Sequence, residues 1–140
     1  MTLDKATQNA AIRLLARREH SRREMVQKLS IRGFEIAQIE KVLDKLEKEN
    51  LLSEKRFIGS IVRVRSQRGY GPLKILAELQ KHGISQKCVV QDEDWQAINW
   101  HNVAQQAKIK RFGEHKPQTI EEESQQYRYL VARGFMPEHI

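Results

Sequence analysis

The sequence is poor in cysteine, proline and aromatic residues, with one cysteine, three prolines and an aromatic content of 6%. The single cysteine, Cys88, excludes internal disulfides and any zinc site built from several cysteines. Because no run of about 18 apolar residues is present, no membrane-spanning helix is predicted. The N-terminal residues, MTLDKA, contain no apolar signal-peptide core, and we therefore expect a cytoplasmic protein.

Positive charge, by contrast, is in excess. The 140 residues include 25 Lys and Arg against 18 Asp and Glu, which gives a formal net charge of +7. A chain of this length forms one ordinary domain, or a short array of small repeats, and can bury a core of its own. The basic excess favours a polyanion or an acidic protein surface as the partner.

Helical spacing dominates the sequence. Apolar residues recur three and four positions apart, as in Ile39, Val42, Leu43 and Leu46. Alternating strand-like runs are absent apart from the short segment 88–90. The sequence therefore predicts an all-α fold with about eight short helices.

Capping signals mark where these helices begin and end. Ser21 and Glu24, like Thr119 and Glu122, have the spacing of a capping box, in which hydroxyl and carboxylate each accept a hydrogen bond from a free backbone amide. Three glycines follow amphipathic runs and are predicted to take the left-handed conformation just past a helix end. These glycines are Gly33, Gly83 and Gly134.

An internal repeat organises the helices. The pattern Leu-x3-Gly, followed by an apolar residue at once and by another five positions later, begins at Leu29, Leu79 and Leu130, and its glycines are 50 and then 51 residues apart. We predict a tandem array of three three-helix, helix-turn-helix-like repeats, elongated or curved, in which neighbours share a core. The predicted repeats, the third incomplete at its C-terminus, are residues 1–50, 51–94 and 95–140.

Several short motifs lie in order on this repeat spacing. They are LLARREHS at 14–21, RF at 56–57, RGYGPLKI at 68–75, EL at 78–79 and RGF at 133–135. Together they resemble the RecX family, the bacterial modulators of RecA recombinase, from about residue 10 to the end of the chain. The resemblance implies a non-enzymatic regulator that binds the RecA–DNA filament along its groove. It further implies suppression of filament growth, ATPase and strand exchange in recombination, DNA repair and the SOS response.

Candidate contact residues come first from an acid-free segment. Residues 55–74 contain six basic side chains and no acidic one. Arg56 and Arg63 share the polar face of a predicted helix, where they can meet phosphates or carboxylates. Arg65 projects toward the apolar side instead, and we expect it to have a structural role such as a pair with Glu78.

A second basic cluster lies in the first predicted repeat. Arg13 and Arg17 are one helical turn apart, and further arginines surround the following turn. The two clusters line one face of the array or alternate around it, and a solvated helix face is the alternative for any one side chain. The basic run 108–111 is interpreted as cations at a helix C-terminus. The candidate partner-binding or DNA-binding residues are Arg13, Arg17, Arg18, Arg22, Arg23, Lys55, Arg56, Arg63, Arg68 and Lys74.

The sequence contains no recognisable catalytic constellation. Its five histidines are scattered without metal-binding spacing, and no G-x-x-x-x-G-K-[ST] phosphate loop is present. Consecutive acids at 92–94 and 121–123 point in different directions on a helix and fit helix N-termini. Cys88 is predicted to be buried in the core. We therefore expect a monomeric binding protein with no catalytic residue, metal or cofactor.

A second function class remains open. Helix-turn-helix-like units that place arginines on phosphates would make the chain a direct, non-specific binder of single- or double-stranded DNA. Specific readout of base edges is not expected, because no helix rich in Asn, Gln and Arg is predicted. The expected partners are therefore the RecA filament and DNA. The DNA would be bound without sequence preference, either on its own or only as part of the filament.

Overall fold

The structure, a computed structural model, describes residues 4–140. This part of the chain contains nine α-helices, one 3-10 turn at Pro137–His139 and no strand, which confirms the predicted all-α class. Residues 88–90, the one strand-like run, are helical. The helices are α1 Lys5–Arg17, α2 Arg22–Ile31, α3 Ile36–Lys48, α4 Glu54–Gln67, α5 Pro72–Lys81, α6 Gln86–Val90, α7 Glu93–Ala97, α8 Trp100–Phe112 and α9 Ile120–Ala132.

The chain forms two compact units, residues 1–60 and residues 61–140, with the boundary inside α4. The first unit contains α1 to α3, and the second contains α5 to α9. The division of the chain into three repeats at the predicted boundaries stays a prediction.

In the first unit, α1, α2 and α3 pack around one apolar core. Met25, Leu29, Leu43 and Leu46 are completely buried there, and each such side chain contributes about 1.5–3 kcal/mol by leaving water. The predicted capping box of α2 is present, with the Glu24 amide donating to the Ser21 hydroxyl at 3.1 Å and the Ser21 amide donating back to the carboxylate. The apolar face of each helix therefore packs into the core, and residues next to the first turn fix where α2 begins.

In the second unit, α8 and α9 face each other over small and apolar side chains, among them Ala104 and Leu130. The Thr119 hydroxyl caps α9 as predicted, but Glu122 accepts from the Gln118 amide, one residue before the cap, rather than from Thr119.

The prediction for Cys88 is wrong: its side chain is exposed, because the five-residue helix α6 turns the neighbouring residue 89 into the core instead.

The repeated Leu-x3-Gly pattern forms the same turn three times. In each turn, the amide that follows the glycine donates to the carbonyl of the repeat leucine, at 3.2, 3.1 and 3.1 Å. The glycines have φ values of +93°, +80° and +100°, the left-handed conformation that was predicted. The buried leucine, the turn and the glycine therefore form one unit of local structure, and the three leucines are Leu29, Leu79 and Leu130.

Within the second unit, the turn before α5 meets the turn after α9 backbone to backbone. The Gly71 amide donates to the Arg133 carbonyl at 2.8 Å, and the Leu73 amide donates to the Gly134 carbonyl at 2.9 Å. A Cβ at Gly71 would lie 2.5 Å from the Gly134 carbonyl carbon, and a Cβ at Gly134 would lie 2.7 Å from the Lys74 backbone nitrogen. Neither glycine can therefore carry a side chain unless the two turns separate.

We expect Gly71→Ala to lower the free energy of unfolding by about 3 kcal/mol, since its methyl group would overlap backbone atoms that cannot move aside. Gly71 has φ −90°, which alanine also adopts, so the loss would report the steric clash alone. The matched control is Gly33→Ala, where φ is +93° but no atom lies within 4 Å of the added Cβ. This control should lose about 1–2 kcal/mol. Urea denaturation followed by circular dichroism measures both, and equal losses would contradict the close contact.

Candidate partner-binding surfaces

Several predicted contact cations form ion pairs within the first unit. Arg22 lies beside three carboxylates of α3 and pairs with Asp44 and Glu47 at 2.9 Å and with Glu40. Partial burial acts against its charge, but the hydrogen bonds to these carboxylates prevail and raise the pKa of Arg22 above its ordinary value. The Arg18 guanidinium forms a bidentate ion pair with the Glu24 carboxylate, donating one hydrogen bond to each oxygen. Both arginines therefore hold helices of this unit together.

Arg56 and Arg63 also have acidic partners in the folded chain. Arg56 pairs with Glu19 at 2.9 Å and donates to both the side chain and the carbonyl of Asn50, at 3.0 and 2.8 Å. Asn50 has φ +60°, so Arg56 stabilises a strained turn between α3 and α4. Arg63 pairs with Asp94 at 2.8 Å, within the second unit.

The structural role predicted for Arg65 is confirmed. Its guanidinium donates two parallel hydrogen bonds to the Glu78 carboxylate, at 2.7 and 3.0 Å, and so joins α4 to α5. These bonds, ahead of the opposing effect of burial, raise the pKa of Arg65. The fork geometry of the pair is specific to arginine.

The remaining predicted cations are exposed. Arg13 and Arg17 lie on α1, and Arg68 and Lys74 flank the Gly69–Gly71 turn; none of these four forms an ion pair within the described chain. Arg23 and Lys55 are exposed as well. Because Arg13, Arg17, Arg68 and Lys74 have no carboxylate partner within the described chain, they are better placed to meet an external anion than the ion-paired Arg18, Arg22, Arg56 and Arg63.

Arg68 lies at a basic groove in the second unit. This groove, which we call the Arg68 groove, has a volume of about 680 Å³; α8 forms one wall, and the end of α4 with the turn after it supplies most of the remaining lining. Its charged lining consists of Arg68, Lys110, Arg111 and Arg133, and no Asp or Glu is found among the described residues that line it. The α8 cations, interpreted from sequence as charges at a helix end, thus face a shared groove with Arg68.

Arg133 fixes one side of this groove. Its guanidinium lies 4.0 Å from the centroid of the Tyr70 ring and donates to the carbonyl groups of Gly69 and Arg68. These contacts anchor the turn that carries the Arg68 side chain. The sequence interpretation did not include Arg133 as a site residue, although the Arg-Gly-aromatic pattern shared by residues 68–70 and 133–135 was a usable signal.

His20 is buried beside the basic cluster of the first unit, with 1% of its surface exposed. Its Nδ1–H donates to the Arg18 carbonyl at 2.9 Å, and its Nε2 accepts from the Lys28 ammonium at 3.0 Å. Burial, together with the charges of Arg18 and Lys28, lowers the pKa of His20. The neutral ring therefore joins the end of α1 to α2.

Within residues 4–140, no group of three or more His, Cys, Asp or Glu side chains is arranged to hold a metal ion. In the same part of the chain, every helix is too short or too polar to cross a membrane. Ion-paired helices, repeated turns and an acid-free groove together define a basic helical-repeat protein.

Comparison with known proteins identifies the family. The family models for the first and second three-helix domains of RecX match residues 8–46 and 53–91. The regulatory protein RecX of Halorhodospira halophila is 38% identical over 135 residues, which cover 96% of this chain and 84% of that protein. That of Pseudomonas putida strain W619 is 40% identical over 130 residues, or 93% of this chain and 83% of that protein. The chain belongs to the RecX family of regulatory proteins.

Solved structures agree on the fold. The crystal structure of RecX from Lactobacillus salivarius aligns with a TM-score of 0.77 at 19% identity, covering 96% of this chain and 89% of that one. A second crystal structure of a regulatory protein RecX aligns with a TM-score of 0.76 over 99% of this chain and 78% of that one. The resemblance inferred from the motifs is thus confirmed, and the family is named for regulation rather than for catalysis.

We expect Arg65→Glu to lower the stability of the second unit by about 1 kcal/mol, because it replaces an ion pair with two facing carboxylates. Adding Glu78→Arg should restore part of the loss, since the pair is then rebuilt in reverse. Trp95 and Trp100, the two tryptophans of the chain, both lie in this unit, so denaturation followed by tryptophan fluorescence measures it. Failure of the reversed pair to recover any stability would show that the residues contribute by packing.

His20 should make the stability of the first unit depend on pH. Its folded pKa is lowered, so the unfolded chain takes up the proton first as the pH falls. The free energy of unfolding should therefore hold its value above about pH 6.5, the ordinary pKa of histidine, and decrease below it. His20→Gln should remove this contribution. The stability difference between wild type and variant, measured from about pH 5 to 8, should shrink toward acid pH, and a constant difference would contradict the assignment.

Proposed function

We propose that this protein regulates a RecA recombinase by binding the RecA–DNA filament, and that it mainly inhibits filament growth, ATPase and strand exchange. Its cellular setting would be recombination, DNA repair and the SOS response in the cytoplasm. The observation that carries this proposal is family membership along the chain, with both three-helix domain models matched and named relatives aligned over more than nine-tenths of the sequence. The protein would act as a monomer built from three helical repeats.

The candidate residues differ in whether a carboxylate of the same chain already binds them, and this difference ranks them as filament contacts. We assign filament contacts first to Arg13, Arg17, Arg68 and Lys74, which are exposed and form no ion pair within the described chain. Arg23 and Lys55 remain candidates on exposure. Arg18, Arg22, Arg56 and Arg63 would bind the filament only by giving up an internal partner, which offsets part of any gain.

Addition of the protein should slow the single-stranded-DNA-dependent ATPase of RecA, and the protein alone should hydrolyse no ATP. Arg13→Glu with Arg17→Glu should require roughly tenfold more protein for half-inhibition, because like charges would then face the acidic filament. Co-sedimentation with RecA filaments, compared with the same DNA lacking RecA, measures binding directly.

The matched control is Lys5→Glu with Arg32→Glu, which makes the same change in net charge at exposed positions of the first unit. It should inhibit as wild type does, and circular dichroism should show both double variants folded. Equal weakening of the two variants would mean that net charge, not the positions of Arg13 and Arg17, governs binding. An unchanged ATPase rate at saturating protein would refute the regulatory proposal itself.

A further inference from the structure

The helices α2 and α9 are equivalent, because each ends at the repeated Leu-x3-Gly turn. The two turns share the hydrogen bond to the repeat leucine, at 3.2 and 3.1 Å, and a glycine in the left-handed conformation. Leu29 and Leu130 hold the same place in these turns. Position 22 of α2 therefore corresponds to position 123 of α9, and position 26 corresponds to position 127.

A third helix covers one side of α2, whereas none follows α9 within the described chain. After the Gly33 turn, α3 packs on α1 and α2 and buries four apolar residues, which are Ile39, Val42, Leu43 and Leu46. After the Gly134 turn, the described residues form only the 3-10 turn Pro137–His139. Ile140 packs on the core of α8 and α9 in the place of Ile39. The rest of α3 therefore has no counterpart against α9 among the described residues.

An exposed apolar stripe runs along the uncovered side of α9. Ile120, Tyr127 and Val131 are 80%, 43% and 45% exposed. Together with Glu123 they lie within about 80° of one another on a helix that turns roughly 100° per residue, and we call these four residues the α9 face. Val26, which corresponds to Tyr127, is instead half-buried and packs against the core that α3 completes. Exposed apolar residues in line, with polar neighbours, are typical of a surface that binds a partner.

Charge indicates which kind of helix would fit. On α2, Arg22 marks the side where α3 lies, because it pairs there with three acidic residues, Glu40, Asp44 and Glu47. The corresponding residue of α9 is Glu123, which is exposed and forms no ion pair within residues 4–140. The sign of the charge is thus reversed between the two helices. A helix on the α9 face would need Lys or Arg where α3 has carboxylates.

We propose that the α9 face is a docking site for an amphipathic helix of another protein, one whose apolar stripe is flanked by Lys or Arg. The incoming helix would lie as α3 lies on α2, with its apolar residues against Tyr127 and Val131 and its cations toward Glu123. Helix recognition of this kind uses apolar anchors three, four and seven residues apart. The site needs neither RecA nor DNA, so the inference goes beyond the regulatory function proposed above.

Two peptides derived from α3 probe the site. The acidic peptide has the native sequence of residues 36–48, and the basic peptide has lysine in place of Glu40, Asp44 and Glu47. Both carry the same side-chain staple between positions 37 and 41, on the side away from the apolar residues, because a free helix of this length is marginal in water. Fluorescein-labelled peptide is titrated with the full chain, and the fluorescence anisotropy reports binding.

Wild type should bind the basic peptide at least about tenfold more tightly than the acidic one. The net charge of +7 opposes this order, so the preference would report a local site and not general attraction. In Glu123→Arg the preference should reverse, because the new cation matches the acidic peptide as Arg22 matches α3. Since the variant gains a ligand, misfolding cannot produce this result.

Matched controls separate the α9 face from its surroundings. Glu121→Arg makes the same change of charge at an exposed position on the opposite side of α9, and it should keep the wild-type preference. Tyr127→Gln with Val131→Gln should weaken binding of the basic peptide roughly tenfold by removing apolar contact. Ile31→Gln removes an exposed apolar side chain of the first unit and should have no effect. Circular dichroism melts verify that all variants remain folded.

Four outcomes would overturn the proposal: no binding of the basic peptide by wild type, no reversal in Glu123→Arg, the same effect from Glu121→Arg, or full binding by Tyr127→Gln with Val131→Gln. Sedimentation of the protein alone supplies a fifth. Self-association that Glu123→Arg abolishes would assign the face to a second copy of this chain instead. Because RecA and DNA are absent from every arm, these results stand apart from the ATPase measurement that tests the regulatory function.

Discussion

The close contact of Gly71 with the Arg133–Gly134 turn is the constraint on which the second unit depends. Two backbone hydrogen bonds join these turns, and neither glycine leaves room for a Cβ. The same approach brings the Arg133 side chain over Tyr70 and onto the carbonyls of the preceding turn. Without it, the wall of the Arg68 groove would lose its anchor.

Arginine has two separate uses in this protein. Where carboxylates lie within reach, as around Arg22 and Arg65, the guanidinium joins one helix to the next and its charge is neutralised. Where none lies within reach among the described residues, as at Arg68, the charge stays available to an outside anion. The arginines that stabilise the fold and those left available to bind an anion are therefore different side chains, and the net charge of +7 does not distinguish them.

Much of the fold was predictable because its signals are local. The capping box at Ser21, the left-handed turn at Gly33 and the buried repeat leucine each depend on residues within about one helical turn. The same holds for Arg65, whose position toward the apolar face indicated a structural role that the pair with Glu78 confirms. Cys88 shows where such reasoning fails, because in a helix of five residues one apolar position does not establish which side faces the core.

The sequence by itself determined the helical class, the repeat and the RecX family, since periodicity, caps and ordered motifs are properties of the chain in one dimension. Apart from Arg65, only the tertiary structure decided which of the candidate cations are ion-paired and which are left without a carboxylate partner. Arg56 and Arg63 share a helix face as predicted but lie beside Glu19 and Asp94. Lys110, assigned from sequence to a helix end, lines a groove with Arg68. These ion pairs and the groove each bring together segments that are at least 31 residues apart in sequence, and helix packing sets the distance between such segments.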